Sequence, residues 1–264
     1  MAQAPRAWHS TQRRPATVRY ETGGHDASDP PARIGAVVDA DTRRQELERR
    51  AAEWASCERC ALAGSRTQVV VGSGEPDADL MFVGEAPGFH EDKQGIPFVG
   101  QAGRLLETLL EEIGLSREQV YIANVLKCRP PGNRDPLPAE IESCQGYLHD
   151  QIQLIRPRVI CTLGNFATKL LSGSPLGITR VRGRAQEHTF GAVTVQLFPI
   201  YHPAAALYTP AMLDMLRSDF AALPALLAGG GAAPEAAPQP APMSAAAAPA
   251  SEPELDDAQL TFQF

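Results

Sequence analysis

Short apolar segments alternate with helical segments through the middle of the chain, and this alternation limits the fold more than any other feature. Four runs of apolar or β-branched residues predict buried strands, at 80–83, 120–126, 159–163 and 193–199. Helical patterns lie before, between and after them, at 41–56, 103–113, 139–155, 165–171 and 212–227. The pattern predicts an α/β fold, a three-layer α/β/α sandwich around a central, mostly parallel four-stranded sheet.

The two ends of the chain differ from this alternating middle. Residues 1–40 mix Pro, Gly, Ser, Arg and Asp without apolar periodicity, which predicts a disordered leader. Residues 41–228 carry the predicted elements and are expected to form one domain. Residues 229–258 are rich in Ala, Pro and acidic residues, a composition typical of a linker. Apolar residues return at alternate positions in the last six, 259–264.

Charge and hydropathy limit the partners. No run of 18 apolar residues occurs and the N-terminus lacks the apolar region of a secretory signal, so we expect a soluble, cytoplasmic protein with no membrane partner. The formal net charge of −7 argues weakly against nucleic acid. However, the segment 151–186 has six basic residues and no acidic one: Arg156, Arg158, Lys169, Arg180, Arg182 and Arg184. The sequence predicts either a DNA-facing basic surface there or an ordinary solvated face.

Loops that follow three predicted strands locate a candidate site. They come after Val83, Leu126 and Ile200. Because the carboxyl ends of parallel strands meet at one edge of a sheet, ligands of such folds bind there. The sequence therefore predicts a site at that edge.

Five cysteines suggest a second site. Cys161 lies inside an apolar strand pattern and is predicted to be a buried core thiol. Cys57 and Cys60 form a CxxC pair, whereas Cys128 and Cys144 are isolated. Four thiolates can bind zinc or an iron–sulfur cluster, and the absence of a second CxxC slightly favours the cluster. Unconnected core thiols are the remaining alternative.

Four motifs occur in a fixed order: GEAPGFHED at 84–92, GIPFVGQAG at 95–103, NVLKCRPP at 124–131 and HPAA at 202–205. With the four cysteines, they closely resemble the iron–sulfur uracil-DNA glycosylases, family 4 of the uracil-DNA glycosylase superfamily, over about residues 50–228. The resemblance implies the fold of that superfamily. It also implies a 4Fe–4S cluster held by Cys57, Cys60, Cys128 and Cys144.

The chemistry of base excision suits several of these residues. A glycosylase must flip the nucleotide out of the stack and recognise its Watson–Crick edge. Phe98 offers an aromatic face for the base, although such a residue is more often part of a core. The amide of Asn124 can bind both N3–H and O4 of uracil and reject cytosine. His202 can donate to the charge that develops on O2 of the leaving uracil.

The resemblance gives roles to the remaining candidates. Glu85 is expected beside the attacking water and the sugar cation, where it orients the first or stabilises the second. Glu91 is expected to close the pocket against the C5 position and so disfavour thymine. The backbone at Ala86 is expected to hold the water or contact uracil O2. Gly88 lets the backbone approach the deoxyribose and phosphates closely.

Other residues are expected to contact DNA outside the pocket. Arg134 is a candidate phosphate ligand. Leu207 fits the apolar wedge that enters the duplex when the base leaves. Tyr208 occupies a position where the family usually has a basic residue. Residues 132–138 lack the inserted basic loop and His of a related branch that traps uracil-DNA covalently, which favours turnover.

The C-terminal residues Gln259–Phe264 resemble the hexapeptide that binds the bacterial sliding clamp. The hypothesis is therefore a monomeric, monofunctional uracil-DNA glycosylase of the bacterial nucleoid, recruited to single- or double-stranded DNA by this peptide. Two alternatives are a glycosylase for other deaminated bases such as hypoxanthine, and a non-catalytic adaptor that binds uracil-DNA.

Overall fold

The computed structural model describes residues 39–207 and 209–229. Six strands in this part of the chain are β1 Ser73–Gly74, β2 Leu80–Gly84, β3 Tyr121–Asn124, β4 Val159–Leu163, β5 Gln186–Phe190 and β6 Val193–Ile200. They form one mixed sheet in the order β1-β3-β2-β4-β6-β5. The four central strands are parallel, whereas β1 and β5 pair with their neighbours in antiparallel fashion. The predicted parallel four-stranded centre is confirmed, with an additional strand at each edge.

Seven helices accompany the sheet within the described ranges: α1 Ala40–Trp54, α2 Phe89–Gln94, α3 Gln101–Glu112, α4 Pro138–Ile155, α5 Asn165–Ser172, α6 Ile178–Val181 and α7 Pro210–Leu227. Short 3-10 turns lie at Ala61–Gly64, Arg117–Gln119, Pro131–Asn133 and Pro203–Ala206. No helix among these described residues is long and apolar enough to cross a membrane.

Two apolar layers cover the two faces of the sheet. Side chains of a strand alternate between faces, so Met81 and Val83 of β2 pack with α1, α4 and α5. Leu80 and Phe82 of the same strand pack with α3 and α7. Every residue of β2 is therefore buried, as expected for a parallel strand between two helical layers. This arrangement is the predicted three-layer sandwich.

The register of the parallel strands brings four strand ends to one edge. Gly84, the last residue of β2, pairs with Asn124, the last residue of β3. Leu163 of β4 pairs with Ile200, where β6 ends. The loops that follow these strands therefore begin side by side, as the sequence predicted.

Several sequence predictions lie outside the described residues. They are nearly all of the leader at 1–40, the linker beyond Gly229, the peptide at 259–264, and Tyr208. They stay predictions.

Candidate active site

A cavity of about 380 Å³ opens at the edge where β2, β3 and β6 end, a size typical of small-ligand pockets. It brings together most of the predicted site residues, namely Glu85, Ala86, Gly88, Glu91, Phe98, Asn124, Arg134 and His202. Further lining residues were not predicted: Pro87, Ala102, Pro130, Asn133 and Ala204. All of these except Asn133 lie inside the quoted motifs, so their position in those motifs was an available signal.

Asn124 presents a buried acceptor without a partner. The residue is only 2% exposed at the end of β3. Its Oδ1 atom makes no hydrogen bond, although its backbone carbonyl accepts one from Lys127 Nζ at 2.8 Å. Leaving a buried polar atom unpaired costs about 1–3 kcal/mol. An acceptor in this state on a cavity wall is suited to a ligand N–H group.

Phe98 is held beside Asn124 in an unusual backbone conformation. Its φ is 54°, which is uncommon for a residue with a side chain. Arg117 fixes this conformation by donating to the carbonyl oxygens of Pro97 and Phe98, the latter at 2.9 Å. Gly84 leaves room for the ring, because a Cβ atom there would lie 2.7 Å from Phe98 Cζ.

His202 is a neutral donor in this structure. Its Nδ1 atom accepts a hydrogen bond from the backbone N–H of Ala204 at 3.1 Å, so the imidazole proton is on Nε2. Burial lowers the pKa of His202 to about 4, and Glu91 opposes this shift. The imidazole is stacked with the ring of Phe98, with centroids 5.6 Å apart. An uncharged N–H donor therefore lies next to the aromatic wall.

The two carboxylates of the first motif have different environments. Glu85 is half-buried, and this burial raises its pKa, with a smaller contribution from Asp135. Glu91 is bound to the backbone instead, because its Oε1 atom accepts from the N–H groups of Val99 and Gly100, both at 2.9 Å. Glu91 therefore ties α2 to the start of α3 and fixes the segment that carries Phe98. Of the two side chains, only the carboxylate of Glu85 makes no hydrogen bond to the described part of the protein, although its backbone carbonyl accepts one from Leu126 N–H.

Two predicted DNA-contact residues already have protein partners. Arg134 lines the cavity, but its guanidinium binds both carboxylate oxygens of Glu140, at 2.6 and 3.0 Å. Arg182, from the basic segment, pairs with Asp219 at 3.0 Å. Leu207 is half-buried and does not line the cavity. Contacts of these residues with DNA stay predictions.

The four cysteines of the second site line one small cavity. Cys57 and Cys60 follow α1, Cys128 follows β3 and Cys144 is on α4. Cys161 is buried in β4, away from that cavity, as predicted. Hydrogen bonds reach three of the four sulfurs: from Tyr147 to Cys57 at 3.1 Å, from Lys127 N to Cys144 at 3.2 Å and from Arg66 to Cys128 at 3.8 Å.

The ionisation of the four thiols bears on whether a metal ion or cluster would fit this cavity. Burial raises the pKa of Cys144, and it raises that of Cys128 to about 12, so both thiols need a bound cation to ionise near neutral pH. Within the described ranges no three His, Cys, Asp or Glu side chains are arranged to hold a single ion. Four thiols that line one cavity supply the ligand set that a zinc ion or an iron–sulfur cluster requires.

Comparisons with known proteins agree with this geometry. The sequence matches the model of the Uracil DNA glycosylase superfamily over residues 71–223. A Type-4 uracil-DNA glycosylase of Sulfurisphaera tokodaii is 49% identical over 180 residues, covering 66% of this chain and 81% of the relative. The Archaeoglobus fulgidus Type-4 enzyme is 48% identical over 64% of this chain and 86% of its own length. The Thermotoga maritima Type-4 enzyme is 45% identical, over 63% and 85%.

Proposed function

Because this chain belongs to the uracil-DNA glycosylase superfamily, we propose that the cavity beside β2, β3 and β6 is where it removes uracil from DNA. The protein is a uracil-DNA glycosylase, a hydrolase of N-glycosyl bonds that acts in DNA repair. Cleavage by water leaves an abasic site. None of the motifs places a lysine in the pocket to form a Schiff base, which supports a monofunctional enzyme.

The unpartnered Oδ1 atom of Asn124 is the observation that carries this assignment of the pocket. Uracil offers an N–H group at N3, whereas cytosine has an acceptor there. In our proposal Asn124 accepts from N3–H while its amide NH₂ donates to O4. Phe98 contacts the face of the base. Cytosine would leave the buried amide unpaired, and such a penalty is an effective basis for rejection.

His202 and Glu85 act on the reaction itself in this proposal. Breaking the glycosidic bond places negative charge on uracil O2 and positive charge on the sugar. The Nε2–H group of neutral His202 donates to O2 as the charge develops, and it needs no proton transfer to do so. Glu85 lies on the sugar side, where it orients the water or stabilises the cation. The backbone at Ala86 helps to hold the same water.

Glu91 and Gly88 shape the entrance. A Cβ atom on residue 88 would lie 2.7 Å from Glu91 Oε2, so Glu91 packs directly against the backbone of the first motif. We propose that Glu91 fills the space next to C5 of the bound base and so excludes the methyl group of thymine. Gly88 leaves the backbone accessible to the deoxyribose and phosphates.

The four cysteines Cys57, Cys60, Cys128 and Cys144 would hold a 4Fe–4S cluster. The cluster would have a structural role, because its ligands connect the segment after α1, the segment after β3 and helix α4. The sulfur-directed hydrogen bonds from Tyr147, Lys127 and Arg66 would stabilise the ionised thiolates.

Further contacts extend the proposal beyond the pocket. We propose that the DNA around the uracil is bound by Arg134, Leu207, Tyr208 and the basic segment 156–184. We propose that the peptide Gln259–Phe264 binds a sliding clamp on nucleoid DNA. The Pro- and Ala-rich linker would tether the glycosylase domain to that clamp. Deleting 259–264 should then abolish clamp binding and leave excision from short oligonucleotides unchanged.

The test uses a 5′-labelled oligonucleotide with one uracil, followed by alkali to cut abasic sites. Asn124→Ala and His202→Ala should each reduce the excision rate by about 100-fold or more. His188→Ala, a histidine on the edge strand β5, is the matched control and should excise normally. Thymine, cytosine and hypoxanthine substrates define specificity. Normal rates in both pocket variants would show that another site does the chemistry.

A further inference from the structure

Phe89 is an exposed aromatic residue at the mouth of the cavity. It follows Gly88, which lines the cavity, and is 44% exposed on α2. Single exposed apolar side chains are common on protein surfaces, so the position of Phe89 gains its meaning from the groups around it. The pocket itself does not use Phe89, because its ring is not among the lining groups.

Two cations lie over the ring of Phe89 in cation–π contacts. The Nζ atom of Lys93 lies 4.4 Å from the ring centroid, and the guanidinium carbon of Arg129 lies 5.2 Å from it. Neither cation forms an ion pair with a carboxylate in the part of the chain that the structure describes. Phe89, Lys93 and Arg129 together are called the Phe89 platform below.

The platform adjoins the cavity at a second point, through Arg129. Arg129 donates from Nε to Oδ1 of Asn133 at 2.6 Å, and Asn133 lines the cavity. The platform therefore joins the segments that follow β2 and β3. A strand whose nucleotide entered the cavity would have its neighbouring nucleotide at this rim.

The chemistry of the platform selects its occupant. Its two unpaired positive charges contrast with the net charge of −7 of the chain, so it favours an anion. An aromatic ring with two cations over it suits an unpaired nucleobase with its phosphates. The base stacks on the ring in place of a cation, and that cation moves to the adjacent phosphate. In a duplex the neighbouring base would be stacked and paired, and its face would be closed to Phe89.

We propose that the Phe89 platform binds the unpaired nucleotide next to the flipped uracil, and so strengthens binding to single-stranded DNA over duplex. Phe89 stacks on the base, while Lys93 and Arg129 hold the flanking phosphates. The inference rests on the proposed pocket, because the platform matters only if the nucleotide beside it enters that pocket.

The test measures, by fluorescence anisotropy, affinity for a single-stranded oligonucleotide that carries one 2′-fluoro-2′-deoxyuridine. The fluorine disfavours the sugar cation, so the uracil can enter the pocket without being excised during the measurement. Phe89→Ala and Phe89→Leu should each weaken binding about 5- to 100-fold, whereas Phe89→Trp should retain it. Leu is the matched control, because it keeps the apolar bulk and removes the aromatic face. The same substitutions should weaken binding to the matching duplex by less than twofold.

Salt dependence tests the cations. Lys93→Met and Arg129→Met should each reduce the slope of log affinity against log salt by about 0.7 for single strands. Arg217→Met removes an exposed cation from α7, paired with Glu112 at the far end of α3, and should leave the slope unchanged.

Some outcomes would overturn the inference. Phe89→Leu binding as well as the wild type would exclude stacking, and equal losses on single strand and duplex would exclude the strand preference. Excision of uracil by the same preparations is scored separately. A wild type that excises uracil, with Phe89 variants of unchanged affinity, would reject the platform and leave the pocket intact. A wild type that binds through Phe89 but releases no uracil would reject the pocket.

Discussion

The ammonium group of Lys127 donates to the backbone carbonyl of Asn124 at 2.8 Å and is completely enclosed by protein. Its second partner is Oε1 of Gln151 on α4, at 2.6 Å. The backbone N–H of the same lysine donates to the sulfur of Cys144. One residue therefore connects the strand end that carries the base-reading amide with the cysteine cavity.

Replacing this lysine should destabilise the protein. Lys127→Met leaves two buried carbonyl oxygens without a donor, and we expect the free energy of unfolding to fall by about 2–4 kcal/mol. Denaturant unfolding at pH 7 measures the change. Lys93→Met makes the same substitution at an exposed position and should change stability by less than about 0.5 kcal/mol. Equal stability of the two variants would show that the buried hydrogen bonds of Lys127 add nothing.

Gly84 is expected to be required for activity because of the space beside it. The added methyl group of Gly84→Ala would lie 2.4 Å from Asn124 Oδ1 and 2.7 Å from Phe98 Cζ, so both must move. A displacement of this size at reacting groups lowers kcat/KM by about 100-fold. Single-turnover excision measures the loss.

The matched control for Gly84→Ala is Gly146→Ala on α4, where a Cβ atom meets nothing within 4 Å. It should excise uracil normally and gain about 0.5–1 kcal/mol of stability from the added helix propensity. Full activity of Gly84→Ala would contradict the tight packing of Asn124 and Phe98.

The sequence predicted those parts of the fold that are encoded locally. Each central strand is a continuous apolar run, and each long helix has apolar residues that recur at helical spacing. The edge strands are different, because β1 has two residues and β5 (Gln186–Phe190) is polar and half-exposed. Their pairing depends on neighbouring strands rather than on a pattern of their own, so no local signal predicted them.

The site was predicted in part for a similar reason. Motifs identified Glu85, Asn124 and His202, because chemistry restricts the residue types. They could not identify the partners that fix them, since Arg117 reaches Phe98 from 19 residues away and Lys127 is a residue type that is rarely buried. The pairing of Arg134 with Glu140 was likewise invisible in the sequence, although it determines how available that arginine is to phosphate.

The pH dependence of excision should follow Glu85 rather than His202. Burial raises the pKa of Glu85 above 4.5 and lowers that of His202 to about 4. As the pH falls, the carboxylate therefore loses its charge before the imidazole gains one. We expect kcat/KM to be constant near neutral pH, and log kcat/KM to fall with a slope of one as the pH drops into the acid range. Glu85→Gln should lower the value of kcat/KM near neutral pH and abolish its decrease at acid pH. A midpoint near 6.5 that disappears in His202→Gln would contradict a neutral histidine.

Stability should depend on pH through Asp219, a buried carboxylate that is paired with the partly buried Arg182. Burial raises the pKa of Asp219 to about 6, and Arg182 opposes the shift. A folded-state pKa above the unfolded value means that this contribution to stability is complete below about 3.8 and is lost as the pH rises through about 6. In Arg182→Met the carboxylate has no cation, so we expect a loss of about 3–5 kcal/mol at pH 8 and a smaller loss at pH 5.

Thermal unfolding at the two pH values measures this difference. The control is Arg217→Met, which breaks an exposed pair with Glu112 and should cost less than about 1 kcal/mol at either pH. An equal loss in Arg182→Met at pH 5 and pH 8 would show that Asp219 does not titrate in the folded protein.

The cysteine cavity gives the last prediction, because only four of the five thiols line it. Cys57→Ala and Cys144→Ala should each lose bound iron and inorganic sulfide, with the visible absorbance of a cluster. Cys161→Ala should retain both, since Cys161 lies in β4 and does not line that cavity. The buried thiols ionise only against a cation, so loss of the metal should also lower the melting temperature of the two cavity variants. Stoichiometric zinc without sulfide in the wild-type protein would contradict the cluster, and iron retained in Cys144→Ala would contradict this set of ligands.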